Sequence, residues 1–122
     1  MSSDRLDTGN PGKSFSSFND FWPYYLGEHS TLQCRIQHFL GTSIAATLII
    51  VAFLTSTTVL YFFAVICGYG CAWWGHFVFE KNKPATFRYP IYSFIGDWKM
   101  FWMMMVGTLD DELRRLGIRP RR

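Results

Sequence analysis

Residues 36–79 read IQHFLGTSIAATLIIVAFLTSTTVLYFFAVICGYGCAWWGHFVF, 44 positions without one Asp, Glu, Lys or Arg. A helix needs ~20 apolar residues to cross the hydrocarbon core of a bilayer, so the run is long enough for two spans. Its most polar point is Thr55-Ser56-Thr57-Thr58. That predicts a helical hairpin, with spans near residues 36–54 and 59–79 and a turn built on hydroxyls without glycine. The alternative, a helical pair buried in a soluble core, asks a 122-residue chain for more polar surface than it can supply.

The flanks explain why a mean hydropathy of only +0.07 coexists with 49% hydrophobic and 19% aromatic residues. Polar residues are segregated to the two ends. Arg35, Lys81, Lys83 and Arg88 flank the open end of the hairpin and the turn carries no charge, which places the open end in the cytoplasm. Trp73, Trp74, Phe77 and Phe79 form an aromatic belt at that face, with Tyr61, Phe62 and Phe63 nearer the other. Five arginines in the last nine positions (Arg114, Arg115, Arg119, Arg121, Arg122) suit anionic lipid head groups better than nucleic acid. Residues 1–17 are polar and show no cleavable signal, so the first span directs insertion. The expected location is an integral membrane protein of a bacterial inner membrane, or of the endoplasmic reticulum in a eukaryote.

Outside the hairpin, residues 1–14 read as a disordered tail and residues 15–109 as one membrane domain. Phe15, Phe18, Phe21 and Trp22 repeat at helical spacing, predicting an amphipathic helix over 15–22 that ends at Pro23 and lies on the membrane surface. Ser30 or Thr31 caps the first span, and Lys81-Asn82-Lys83-Pro84 ends the second. A third helix is expected over 91–107. Asp97 and Lys99 interrupt it, and a full crossing would strand the Arg-rich tail, residues 110–122, on the far side. The expected class is therefore all-α, a membrane helical hairpin with flanking interfacial or re-entrant helices.

The chain has three histidines, His29, His38 and His76. His38 and His76 lie nineteen positions either side of Thr57, so a hairpin brings them to one depth. The faces beside them (Gly41, Thr42 and Ala45; Ala72, Trp73 and Tyr69) are mostly small next to each histidine, which serves close helix approach or leaves room for an acyl chain. His29 is nine residues before His38, about half a turn off its face and roughly 13 Å along a helix. It joins the others only if the chain breaks near Ser30. Three imidazoles at one depth, with Glu28, Glu80 and Asp97 nearby, point to a metal; such a set suits non-haem Fe(II), and also zinc. Ionisable groups at a membrane edge are costly without a role. Cys67 and Cys71, one turn apart, read as small packing residues.

Taken in order, Phe18-x-x-Phe21-Trp22-Pro23-Tyr24-Tyr25-Leu26-Gly27-Glu28-His29-Ser30, Arg35-x-x-His38-Phe39-x-Gly41-Thr42, Gly75-His76-Phe77-x-Phe79-Glu80-Lys81-Asn82-x-Pro84-Ala85-Thr86-Phe87, Tyr89-Pro90 and Gly96-Asp97-x-x-Met100 resemble the small membrane family that includes the 2-hydroxy fatty acid dioxygenase of phytosphingosine breakdown. The likeness covers residues 15–109. It implies Fe(II)-dependent α-oxidation, in which a long-chain 2-hydroxy fatty acid and O2 give the acid one carbon shorter, CO2 and water. It further implies His29, His38 and His76 as metal ligands and Glu80 as the carboxylate ligand. Glu28 or Asp97 would orient an imidazole, and Arg35 would hold the substrate carboxylate while the tail extends between the helices among membrane lipid. The chain is shorter than the family's eukaryotic-type enzymes. If a further segment closes the site there, a homodimer would have to supply it here. Two readings from other classes stand beside this one: a non-catalytic lipid-binding or assembly protein, and a zinc-dependent lipid hydrolase.

Overall fold

The computed structural model describes residues 14–120. The expected disorder of residues 1–13, and the lipid contacts of Arg121 and Arg122, lie outside the described residues. The described chain is helical, in the order α1 (Phe18–Gly27), α2 (Leu32–Thr55), α3 (Val59–Trp74), α4 (Pro90–Val106) and α5 (Leu109–Arg115). A π-helical turn, Gly75–Glu80, prolongs α3, and a 3-10 turn, Ala85–Phe87, precedes α4.

α2 and α3 are the hairpin. Ser56 takes the left-handed conformation (φ 54°) that glycine usually supplies, and the Thr55 hydroxyl donates back to the Val51 carbonyl at 2.7 Å. Close approach is concentrated at Gly41, where a Cβ would meet the Cys71 Cβ at 2.8 Å and the Gly68 carbonyl at 3.0 Å. Elsewhere the helices bury little. Only 17% and 22% of their most apolar windows lie inside the protein, and Phe53, Leu54 and Phe62 are 76%, 74% and 62% exposed. Core helices of a soluble protein would be mostly covered. These two are long and apolar enough to cross a membrane, and their outer faces are what lipid would cover.

α1, α4 and α5 build a separate aromatic core at the open end. Phe21, Trp22, Tyr25, Leu26, Met100, Leu109 and Leu113 are all buried there. This corrects two expectations. The apolar face of α1, assigned above to the membrane surface, is turned inward against α4 and α5. The helix also runs through Pro23 to Gly27, because the missing Pro23 N–H would have bonded the carbonyl of Asn19, an exposed residue in the first turn. The Arg-rich tail is likewise part of the fold. Leu109 and Leu113, four apart, anchor α5 in the core, and Glu112 accepts from Trp22 Nε1 at 2.7 Å. Arg115 pairs with Glu112 and Arg114 with Asp111, so these two arginines are matched within their own helix.

α4 packs its Ser93, Gly96 and Met100 face inward. A Cβ on Gly96 would meet the Tyr25 ring at 3.0 Å. Lys99, which breaks the apolar pattern in sequence, lies 4.4 Å above the Trp22 ring, a cation–π contact. Phe101 stacks on Phe39 of α2 at 5.1 Å, fixing α4 against the hairpin.

Candidate metal centre

The chain does break where His29 requires it. α1 ends with Glu28 as its cap, and α2 begins at Thr31, whose side chain accepts from the Cys34 N–H at 3.2 Å. Breaking the helix here frees backbone groups of residues 29–31, which are buried away from water. Two buried charged side chains satisfy them. Arg35 Nη1 donates to the His29 and Ser30 carbonyls, both at 2.9 Å. Glu80 accepts from the Thr31 N–H and from the Ser30 hydroxyl, the latter at 3.2 Å, a carboxylate at the positive end of α2.

The structure shows another use for these two side chains. Arg35 lines neither of the cavities described below and donates to backbone carbonyls. Glu80 accepts from the turn and is not among the four residues whose ligand atoms cluster. Both residues build the break that brings His29 in.

His29 then stands between the other two. Its Nε2 is 3.0 Å from His38 Nε2 and 2.9 Å from His76 Nε2, and all three residues are buried. Each ring is oriented through its other nitrogen. His29 Nδ1 donates to the Tyr25 carbonyl at 2.6 Å, and His38 Nδ1 to the Cys34 carbonyl at 3.0 Å. Carbonyls only accept, so both Nδ1 atoms carry the proton. Asn82 Nδ2 donates to the Glu28 carbonyl (3.2 Å) and carboxylate (3.3 Å), which turns Asn82 Oδ1 onto His76 Nδ1 at 2.7 Å. All three rings therefore present bare Nε2 lone pairs to one another. Burial, then the two neighbouring imidazoles, hold His29 well below its ordinary pKa, so a proton does not relieve the repulsion. A cation bound by all three would.

The supports are local. Trp22 stacks on Tyr25 (5.5 Å, 12°) and Tyr25 on His29 (4.1 Å, 28°), continuing one face of α1 into the break. The π-helical turn carries His76, and Lys81 closes it in the left-handed region (φ 60°), folding Asn82 back over the ring. Non-glycine residues hold that conformation only where surroundings enforce it.

Asp97 lies beside the cluster, its Oδ1 4.0 Å from His38 Nε2, and accepts the Tyr25 hydroxyl. Glu28 acts on His76 through Asn82. Cys34, not singled out in the sequence, has its Sγ within 4.8 Å of the histidine ligand atoms; its position four residues before His38 was the available signal. Asn82 was missed because an amide advertises no metal chemistry.

A cavity of about 220 Å³ leads away from His38 and Asp97 between α2 and α3, past Thr42, Ala45 and Gly68, to Ile49 and Tyr61. α4 contributes Phe94 and Trp98 to its wall. The small residues thus do both jobs left open above: Gly41 sets the approach, while Ala45, Ala64 and Ala72 leave the space.

A family model described as 2-hydroxy-palmitic acid dioxygenase Mpo1-like matches residues 15–109. The chain belongs to that family. The match ends at Leu109 and so takes in the hairpin, all three histidines, Asn82 and Asp97. No curated protein and no solved structure matches the chain.

Burial pushes the Asp97 carboxyl up to about 7, against the Tyr25 hydrogen bond that pulls it down. Between about 4, the ordinary carboxylate value, and about 7 the folded protein keeps a proton that the unfolded chain releases. This group's contribution to stability is therefore lost as pH rises through that window. Asp97→Asn, which cannot ionise, is expected to raise the Tm of metal-stripped protein more at pH 8 than at pH 5. A gain that shrinks or stays level with pH would contradict this.

Proposed function

We propose that this protein is an Fe(II)-dependent oxygenase that shortens 2-hydroxy fatty acids by one carbon at a membrane face, with the site end of the hairpin toward the cytoplasm. The observation that carries the reading is the convergence of three neutral imidazoles, each with Nδ1 protonated and Nε2 bare, at the head of an apolar cavity. The reaction balances with O2 alone: the hydroxyl-bearing carbon becomes the new carboxyl, the old carboxyl leaves as CO2, and the four electrons released reduce O2, one of its oxygens leaving as water.

His29, His38 and His76 would hold the iron, which when bound supplies the activation of O2. Three bare Nε2 atoms, with that of His29 3.0 and 2.9 Å from the other two, would supply part of the iron's ligand set and leave its remaining positions to substrate and O2. The cavity takes the acyl chain: from His38 to Ile49 is roughly 16 Å of helix rise, the extended length of about a dozen methylenes. Asp97 Oδ1, hydrogen-bonded to Tyr25, is placed to take the proton of the 2-hydroxyl. The apolar walls exclude water from the reacting end.

One observation favours a second reading. Cys34 beside three histidines makes a set that suits zinc, and with it hydrolysis of a lipid. A single experiment separates the two. Purified protein loaded with Fe(II) and given 2-hydroxyhexadecanoate in air is expected to release the C15 acid and CO2, and to be inert without O2. Turnover in anaerobic, zinc-loaded protein would replace the first reading with the second.

A further inference from the structure

Among the described residues, two buried side-chain polar atoms have no hydrogen-bond partner: Trp73 Nε1 and Ser93 Oγ. Leaving buried donors unpaired is costly, and native proteins rarely do so without a use. Both residues line one small cavity of about 10 Å³. It shares His38, Ala72 and Asp97 with the long cavity and adds His29 and His76, so it adjoins the acyl groove where the histidine cluster stands. It has room for about one water-sized atom, such as a single carboxylate oxygen.

An indole N–H only donates, and a serine hydroxyl can donate, so the missing partner is an acceptor. No Lys or Arg lines either cavity, and Arg35 is held by the backbone. A substrate with its tail in the groove and its hydroxyl-bearing carbon at the histidines carries a carboxylate next to that carbon, at this position. We infer that Trp73 Nε1–H and Ser93 Oγ–H form the seat of one oxygen of the substrate carboxylate, the rest of the group lying in the adjoining groove, and so select 2-hydroxy acids over other 2-hydroxylated lipids. The inference rests on the proposed function for the substrate's identity.

The test is binding, not turnover. Full-length, Fe(II)-loaded protein in lipid nanodiscs, kept anaerobic, is titrated with 2-hydroxyhexadecanoate and with hexadecane-1,2-diol, which has the chain and the hydroxyl but no carboxylate. Wild type is expected to prefer the acid. Ser93→Ala and Trp73→Phe each weaken acid binding roughly tenfold, the effect of losing one hydrogen bond to a charged group, and leave diol binding unchanged. Ser93→Ala removes an unpaired hydroxyl, so its Tm is expected to equal or exceed that of wild type, which separates the effect from misfolding. Equal affinity of wild type for acid and diol would overturn the seat. So would variants that lose both ligands alike, or neither, as when the pair merely holds a water. If the acid preference behaves as expected while wild type in air yields no C15 acid, the oxidation falls and the carboxylate seat stands.

Discussion

His29→Ala is expected to reduce bound iron to background and abolish release of the C15 acid, the largest effect of any single substitution in this chain. His29 is the middle member of the cluster, with Nε2 atoms 3.0 and 2.9 Å to either side. Without it, His38 and His76 face each other with ring centres 5.0 Å apart, and the site keeps two of its three imidazoles. The fold has reason to survive. The Arg35 and Glu80 contacts that form the break use the backbone of residues 29–31 and the Ser30 hydroxyl, not the imidazole. Asn82→Ala supplies the graded comparison. It removes the acceptor that fixes the His76 tautomer and uncouples Glu28, and loss of such an outer partner typically costs about 10–100-fold in metal affinity. Iron content by elemental analysis, read across wild type, Asn82→Ala and His29→Ala, should fall in that order. A full equivalent of iron on His29→Ala would remove the three-histidine site.

The hairpin and the pairing of His38 with His76 were legible because both follow from one count, a charge-free run with its polar point at the centre. The break before Thr31 was legible as a condition, since helix geometry alone keeps His29 from the others. What the sequence did not show was which groups the charges bond in the fold. Arg35 and Glu80 lie at the right depth for chemistry, and residue type alone suggests ligand or substrate roles. The contacts they make are to backbone groups freed by the helix break inside the protein, and such groups carry no residue letter. The C-terminal segment shows the same effect. Five arginines dominate its sum, yet Asp110, Asp111 and Glu112 precede them, and Leu109 and Leu113 share a helical face. That spacing made a packed helix readable, and the net sign concealed it. Cys34 was hidden differently: its spacing to His38 is visible, but a single buried cysteine is ordinary until three histidines close around it.

Arg35→Met carries the second large expectation, and it divides scaffold from substrate contact. The guanidinium donates to two buried carbonyls at 2.9 Å, and hydrogen bonds from a charged donor contribute about 1.5–3 kcal/mol each. A methionine fills the volume and donates nothing, so the loss is about 3 kcal/mol or more. That loss falls on the turn that holds His29. Thermal stability and iron affinity should therefore drop together. The preference for 2-hydroxyhexadecanoate over hexadecane-1,2-diol should persist in the protein that remains folded, because Arg35 lines neither cavity. Arg35→Lys should recover part of the stability, since an ammonium on a shorter stem can still meet a carbonyl but lacks the planar fork. If Arg35 held the substrate carboxylate instead, the pattern would invert: stability and iron content would stay near wild type and the acid preference would vanish. Melting curves, iron content and the two titrations on one preparation decide between a residue that reads the substrate and one that bends the chain so that His29 can reach the metal.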